Sequence, residues 1–402
     1  MVNFNELMTV CKETSKITGK VVDDFLLYYA AQRERLNKEM DQRLLPFRLA
    51  VKEFDKTWIN LIKAQYIGHR IFKKNGFIKK YLNHAAIKEL LPEQQTFLEQ
   101  QSAIPWKYSF TRITGNPAID FYEMEDAFTA EKYLIYSPSI SQILSKESIL
   151  LWFNLIGFNG SCWQTYGPVN SFSSFGPDDI FFFATELNPT IETDDALMAD
   201  VENNPLPYLM LISGSRYPVT MNGEDEILQV FTEQRLESFD SSEIKKEFKV
   251  EYAQGIYRIG IEPWNDSPHF AQAFYVEDQK KLVVSSLTDR GYDALVTKLN
   301  KHAFGLQAAP DIRVRLQMLI SIKHILGKEV RLNTYEAVFK TEPDLAAEHE
   351  LDKLNKLLAL ALPVINAGQE PDFRALAKEV GVDEETAQEL IKHLLISTNK
   401  FK

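Results

Sequence analysis

A chain of 402 residues, 45% hydrophobic and 25% charged, has room for two or three domains with cores of their own; its composition excludes a disordered, collagen-like or disulfide-stapled protein. Two cysteines and seven scattered histidines exclude a cysteine-rich zinc module. The longest apolar runs, such as 357–365, reach about half of the ~20 residues a membrane span needs, and the opening twenty residues carry charge throughout, unlike a secretory signal. These features predict a cytoplasmic protein with no membrane partner.

Net charge is −11, and it is unevenly spread. Residues 1–104 carry a net +5, residues 105–302 a net −14 and residues 303–402 a net −2. Such asymmetry suggests separate partners for the regions, or an acidic region docked on a basic one.

Residues 1–104 read as helical. The stretch 21–40 is rich in good helix formers, Pro46 suits the first turn of a helix over 47–74, and Asn75-Gly76 supplies its stop. A shorter helix is predicted over 77–91, ended by Pro92. The pattern then changes. Alternating residues predict a strand over 107–114, a hairpin from 119–125 and 131–136, and a second hairpin from 148–158 and 162–166 about Asn159-Gly160. Residues 178–187 fit a helix or a buried strand equally well. Further strands are expected at 206–213, 227–232, 249–261, 270–276 and 282–286, with a helix over 289–302. Helices return at 311–326, 346–362, 373–379 and 384–395. Strands cluster with helices flanking them, so the predicted class is α+β: an N-terminal helical domain (1–104), a central antiparallel-rich mixed-sheet domain (105–302) and a C-terminal helical region (303–402).

The nucleotide-binding glycine motifs, the nucleophile elbow and the zincin helix are all absent. His349-Glu350 opens like the last, but Lys353 stands where the second histidine ligand belongs. No two histidines lie closer than 15 residues in the sequence, which leaves no local metal-ligand pair, and no cofactor or metal is predicted.

Three features carry functional content. Between Asp55 and Glu89 the chain has eight cations and no acid, with Trp58, Tyr66, Phe72, Phe77 and Tyr81 interleaved. Cations neutralise phosphates and aromatic faces stack bases, so Lys63, Arg70, Lys73, Lys74, Lys79 and Lys80 form a candidate surface for nucleic acid or an acidic protein. The bland alternative is a solvated basic face over a helical core. Second, 371–393 has the helix–glycine–helix layout of a helix-turn-helix. Its second helix opens Asp383-Glu384-Glu385, which opposes phosphate contact and favours a structural pair. Third, 158–167 gathers polar groups, glycines and aromatics on a turn, the composition of a pocket rim. There Cys162, Trp163 and Tyr166, with His269 as a general base for a Cys162 nucleophile, are the pocket candidates. A buried inert thiol is the plainer reading of Cys162, and Cys11 and Cys162 are expected in different domains. The sequence thus predicts a binding protein working through its basic helices, with a hydrolase-like enzyme holding a pocket in the central domain as the alternative.

Overall fold

The computed structural model describes residues 3–389, apart from 53, 147, 216–218, 262–269, 340–352, 355, 362–363 and 365–370. It divides into two compact units, Met1–Asn333 and Thr334–Lys402, and is of mixed α+β class with helices at both ends of a central sheet region.

Helix α1 (Phe4–Thr18) starts where the Asn3 side chain accepts from the amides of Asn5 and Glu6, satisfying two of the donors a helix start leaves open. It runs without a break through a π-helical segment, Gly19–Leu26, into α2 (Leu27–Arg33). The helix expected over 21–40 is cut at Arg35, whose φ of 55° turns the chain into α3 (Leu36–Leu44). The helix expected over 47–74 is also two pieces, α4 (Arg48–Val51) and α5 (Lys56–Phe72). Asp55 caps α5 by accepting from the Trp58 amide at 2.7 Å, a local bond that competes with helix continuation. Residues 77–91 form only single turns, α6 (Ile78–Tyr81) and α7 (Ala85–Lys88), before α8 (Pro92–Ala103).

Strands β1 (Lys107–Ala118), β2 (Phe121–Asp126) and β3 (Lys132–Tyr136) lead through α9 (Pro138–Leu144) to β4 (Leu151–Phe158), β5 (Trp163–Tyr166) and the short β6 (Ser171–Phe172). Both expected hairpins are present, β2–β3 and β4–β5. What the hairpins do together was not legible: β1 pairs with β2 on one side and β4 on the other, and β3 pairs in parallel with β5. The circuit β1-β2-β3-β5-β4-β1 closes a five-stranded barrel, an architecture shared by small Greek-key barrels that include the OB-fold. Tyr122, Met124, Tyr133, Ile135, Trp152 and Ile156 fill it, with Ile140 of α9. Alternate residues face outward, and Tyr108, Phe110, Phe153, Leu155 and Tyr166 join the main core with the N-terminal helices.

Residues 178–187 are helical (α10, Pro177–Leu187), followed by α11 (Asp194–Asn203) and α12 (Leu206–Gly214). The last corrects the expected strand at 206–213. Its residues Leu206–Leu211 are buried without exception, and a helix buried all round has no amphipathic period to read. After the short ribbon β7 (Met221–Asn222) and β8 (Asp225–Glu226) comes a second six-stranded antiparallel sheet, order β10-β11-β12-β13-β9-β14. Its strands are β9 (Leu228–Arg235), β10 (Lys249–Ala253), β11 (Ile256–Gly260), β12 (Ala271–Val276), β13 (Lys281–Ser286) and β14 (Ile312–Arg315). A single strand over 249–261 is corrected to a hairpin, turned at Gln254-Gly255 with positive φ at both residues, as a two-residue turn requires. The one-turn α13 (Ser241–Ile244) precedes β10, and α14 (Asp289–Asn300) packs on one face of this sheet. The helix expected over 311–326 gives its first residues to β14 and the rest to α15 (Leu316–Leu326).

In the second unit α16 (Phe373–Val380) is capped by Asp372 and ended by Gly381 at φ 78°, and Asp383 accepts from the Thr386 amide to open a helix over 384–389. The helix–glycine–helix layout is present there; residues 390–395 lie outside the described part.

Candidate functional site

A cavity of about 210 Å³ lies between the N-terminal helices and the barrel. Its helical wall is Ser15 and Thr18 of α1, Val22 and Asp23 of the π-helical segment, Leu27 at the start of α2, and Ala64, Gln65 and Gly68 of α5. The barrel supplies Leu155 and the β5 residues Gln164, Thr165 and Tyr166, with Trp106 between them. A π-helical turn inside a longer helix is uncommon and concentrates at functional sites. Ser15, Asp23 and Gly167 are exposed at the rim, whereas Thr18, Gln65, Trp106, Gln164 and Tyr166 are buried.

The wall is rigid by construction. Trp106 stacks between Phe72 at 4.2 Å and Tyr166 at 3.8 Å, and its indole N–H donates to Gln101 Oε1 at 2.6 Å. Gly157 makes that stack possible: a Cβ there would stand 2.6 Å from Trp106 and 2.7 Å from Tyr166. Gln65 donates to the carbonyls of Tyr166 and Pro168 and accepts from Asn170, so one amide from α5 fixes the loop after β5. Gly167, at φ +74°, turns that loop over the Gln65 side chain.

Two groups in this wall are chemically poised. The Tyr166 hydroxyl is buried beside the Thr18 hydroxyl, which donates to the Thr14 carbonyl and keeps its lone pairs to accept from the phenol. Burial pushes the phenol up, so it stays a neutral donor. Asp23, the one charged group among the described lining residues, is exposed at the rim on one side and has its carboxyl raised from the ordinary value by the desolvation of its inner side and then by the Asp24 carboxylate.

Behind the wall the two cysteines meet. Cys11 Sγ and Cys162 Sγ are 3.3 Å apart and buried, which corrects their expected separation into different domains. Asn159 organises them: its Oδ1 accepts from the amides of Ser161 and Cys162, and its Nδ2 reaches both sulfurs and Gln164 Oε1. Gln164 Nε2 in turn donates to the Cys11 carbonyl and to Ser15 Oγ.

The pocket candidates read from the sequence are therefore divided. Tyr166 lines the cavity and Cys162 lies one layer behind it. Trp163, one residue out of phase on β5, turns to Tyr133 and Phe158 instead. His269 lies outside the described residues. Thr18, Asp23 and Gln65 were missed; the available signal was a polar residue at an inward position of an otherwise apolar helix, as Gln65 stands between Ile62 and Gly68-His69.

The basic candidates are not brought into one free surface. Lys63 binds Asp41 at 2.9 Å, Arg70 lies 3.6 Å from Glu39, and Lys80 binds Glu34 at 2.6 Å. Lys73 donates to the Glu202 carbonyl at 2.6 Å. Lys74 and Lys79 are exposed. The outer face of β2 and β3 is covered in part by α1, whose Phe4, Leu7, Met8 and Cys11 pack with Phe121, Leu134 and Tyr136.

A second hollow of about 580 Å³ is floored by Phe181, Phe182 and Ile312. Among its described lining residues the one cation, Arg313, is held by three hydrogen bonds to Asp289, and Asp178, Glu186 and Asp311, with Thr185, give the rest of the polar lining an acidic character. No protein-family model, curated protein or solved structure matches this chain. Among the described residues no group of three or more His, Cys, Asp and Glu is placed to hold a metal ion, and no helix is long and apolar enough to cross a membrane.

Proposed function

We propose that the protein binds a small ligand with a cationic or hydrogen-bond-donating head and a short apolar body in the cavity between α1, α5 and β5. The observation that carries this reading is the Asp23 carboxylate, exposed at the rim of a cavity whose other described lining residues are uncharged. Asp23 sets the sign of the ligand, since no Lys or Arg lines the cavity, and Val22, Leu27, Ala64 and Leu155 set its apolar part. The reading is preferred to a nucleic-acid or acidic-protein partner on the basic helices because Lys63, Arg70, Lys73 and Lys80 have partners within the fold. Catalysis is not part of it. A reducing compartment, the cytoplasm, is the setting it assumes.

The test is calorimetric titration with three probes of one chain length: n-butylamine, n-butanol and butyrate. The amine is expected to bind and butyrate to fail. Asp23→Asn is expected to weaken the amine about tenfold, since a hydrogen bond to a charged group contributes ~1.5–3 kcal/mol and 1.4 kcal/mol is about tenfold. Equal affinity for amine and carboxylate, or no heat from any of the three, overturns the reading.

A further inference from the structure

We infer that Cys11 and Cys162 are an oxidant-responsive pair, a modification site that closes to an intramolecular disulfide under hydrogen peroxide and reopens with a dithiol reductant. The inference stands apart from the cavity's ligand and rests on how the thiols are held. Their sulfurs are 3.3 Å apart, so an S–S bond of ~2.05 Å requires an approach of only about 1.3 Å.

The partners are brought together from 151 positions apart in sequence by dedicated structure. Asn159 accepts from two backbone amides of its own turn, which fixes its amide orientation and leaves Nδ2 aimed at both sulfurs. The Asn159 amide also closes the turn on the Cys162 carbonyl at 3.0 Å, and Gly160 takes the φ of +95° the turn needs. Asn159 is therefore a buried support for the thiol pair, which is why its Asn-Gly-Ser sequon cannot serve as a glycosylation site in the folded chain. A purely space-filling cysteine requires none of this.

Asn159 Nδ2 lies 3.3 Å from Cys11 Sγ and 3.6 Å from Cys162 Sγ, so a thiolate is better supported at Cys11. The contact between the sulfurs acts in the same direction at Cys11, against burial. Cys11 is therefore taken as the nucleophile. Its thiolate attacks one peroxide oxygen; an S–O bond forms as the O–O bond breaks, and the departing hydroxide takes a proton to become water. The Cys162 thiol then gives up its proton and its sulfur attacks Cys11 sulfur. The S–O bond breaks and a second water leaves. The balance is two thiols and one peroxide to one disulfide and two waters.

Both thiols are buried, so the oxidant must reach them through the wall. Ser15 and Gln164 line the cavity and also bond to each other, and Gln164 bonds to the Cys11 carbonyl. A small neutral oxidant in the cavity is thus one layer of side chains from the sulfurs. Disulfides of this reversible kind are the ones a reducing compartment tolerates.

The experiment treats the full-length reduced protein with graded hydrogen peroxide, then alkylates under denaturing conditions and measures intact mass and peptide maps. The expected result is loss of two hydrogen atoms, loss of both alkylation sites together, and one Cys11–Cys162 cross-linked peptide that dithiothreitol removes. The oxidised form is also expected to melt higher, because the bond ties α1 to the barrel. Cys11→Ala is expected to slow peroxide consumption at Cys162 at least tenfold, and the wild-type mass readout stands whether or not that variant folds. Two alkylatable thiols after peroxide, sulfinic acid without a cross-link, or intermolecular cross-links alone overturns the inference.

Discussion

Gly157→Ala tests whether the Trp106–Tyr166 stack is the fixed floor of the cavity. The added Cβ meets Trp106 Cδ1 and Nε1 at 2.6 Å and Tyr166 Cε2 at 2.7 Å, against a comfortable carbon contact of ~3.5–4.0 Å. One of the three elements must move by about 1 Å. The tryptophan resists, since Phe72 stacks on it and Gln101 accepts its N–H at 2.6 Å. Tyr166 resists through the Gln65 bond to its carbonyl. Overpacking of this kind costs about 1–3 kcal/mol. In a unit of this size each kcal/mol moves the melting point about 2 °C, so a fall of about 2–6 °C is expected. The assay is calorimetric melting of wild type, Gly157→Ala, Trp106→Phe and the double variant. If the clash is the cause, Gly157→Ala costs less in the Trp106→Phe background, a non-additivity expected of groups in contact. An unchanged melting point for Gly157→Ala, or strict additivity of the two changes, refutes the argument.

Two further outcomes follow from buried polar contacts at α5. His69 is buried with Nε2 2.7 Å from Glu202 Oε2, and burial lowers it below its ordinary 6.5; the unfolded chain therefore takes up the proton first as pH falls. This contribution to stability is present above about pH 6.5 and is lost below it, with a slope of up to ~1.4 kcal/mol per pH unit. Urea midpoints at about pH 7.5 and about pH 5.5 should show a smaller acid loss in His69→Gln than in wild type; an equal loss contradicts the assignment. Among the cations, Lys73→Glu should cost about 2 kcal/mol, because it removes a charged donor from the Glu202 carbonyl. Lys74→Glu and Lys79→Glu should stay within ~0.5 kcal/mol. If all three leave stability unchanged and abolish salt-sensitive binding of generic single-stranded DNA, the basic face is a contact surface after all.

The parts of the fold legible in the sequence are those set by neighbours in the chain. The turn at Asn159-Gly160 and the helices flanking the strands carry their own signals, whereas β1 runs on past the expected end at 114 to Ala118. Helix α12 carries no such signal, because Leu206–Leu211 are buried on every side and hydrophobicity alone suits strand and helix equally. Barrel closure depends on residues 107–111 meeting 152–156, a pairing no local pattern records. The site divides the same way. Tyr166 was found because its turn has a pocket's composition, whereas Cys11 was not joined to Cys162 because 151 positions separate them. The basic tract looked unopposed because its acids, Glu34, Glu39 and Asp41, come from the preceding helices. Lack of acid within a run says nothing of acid across a helix interface.

The contact between α1 and the barrel combines an apolar patch with a polar seam. Phe4, Leu7 and Met8 meet Phe121, Leu134 and Tyr136 on the apolar side, which would suffice to dock the helix. Beside them run Ser15, Gln164, Asn159 and the two thiols, joined by bonds of 2.8–3.6 Å. Buried polar networks of this kind are costly when incompletely satisfied, and apolar residues of similar volume serve packing as well. A seam that exists only to hold α1 would therefore be an inefficient solution. One that presents Gln164 to the cavity on one side and steadies a dithiol on the other has a use that packing alone does not explain. The helix that covers the barrel's β2–β3 face thereby leaves the space beneath the π-helical turn, rather than the outer strand surface, as the site of the proposed ligand.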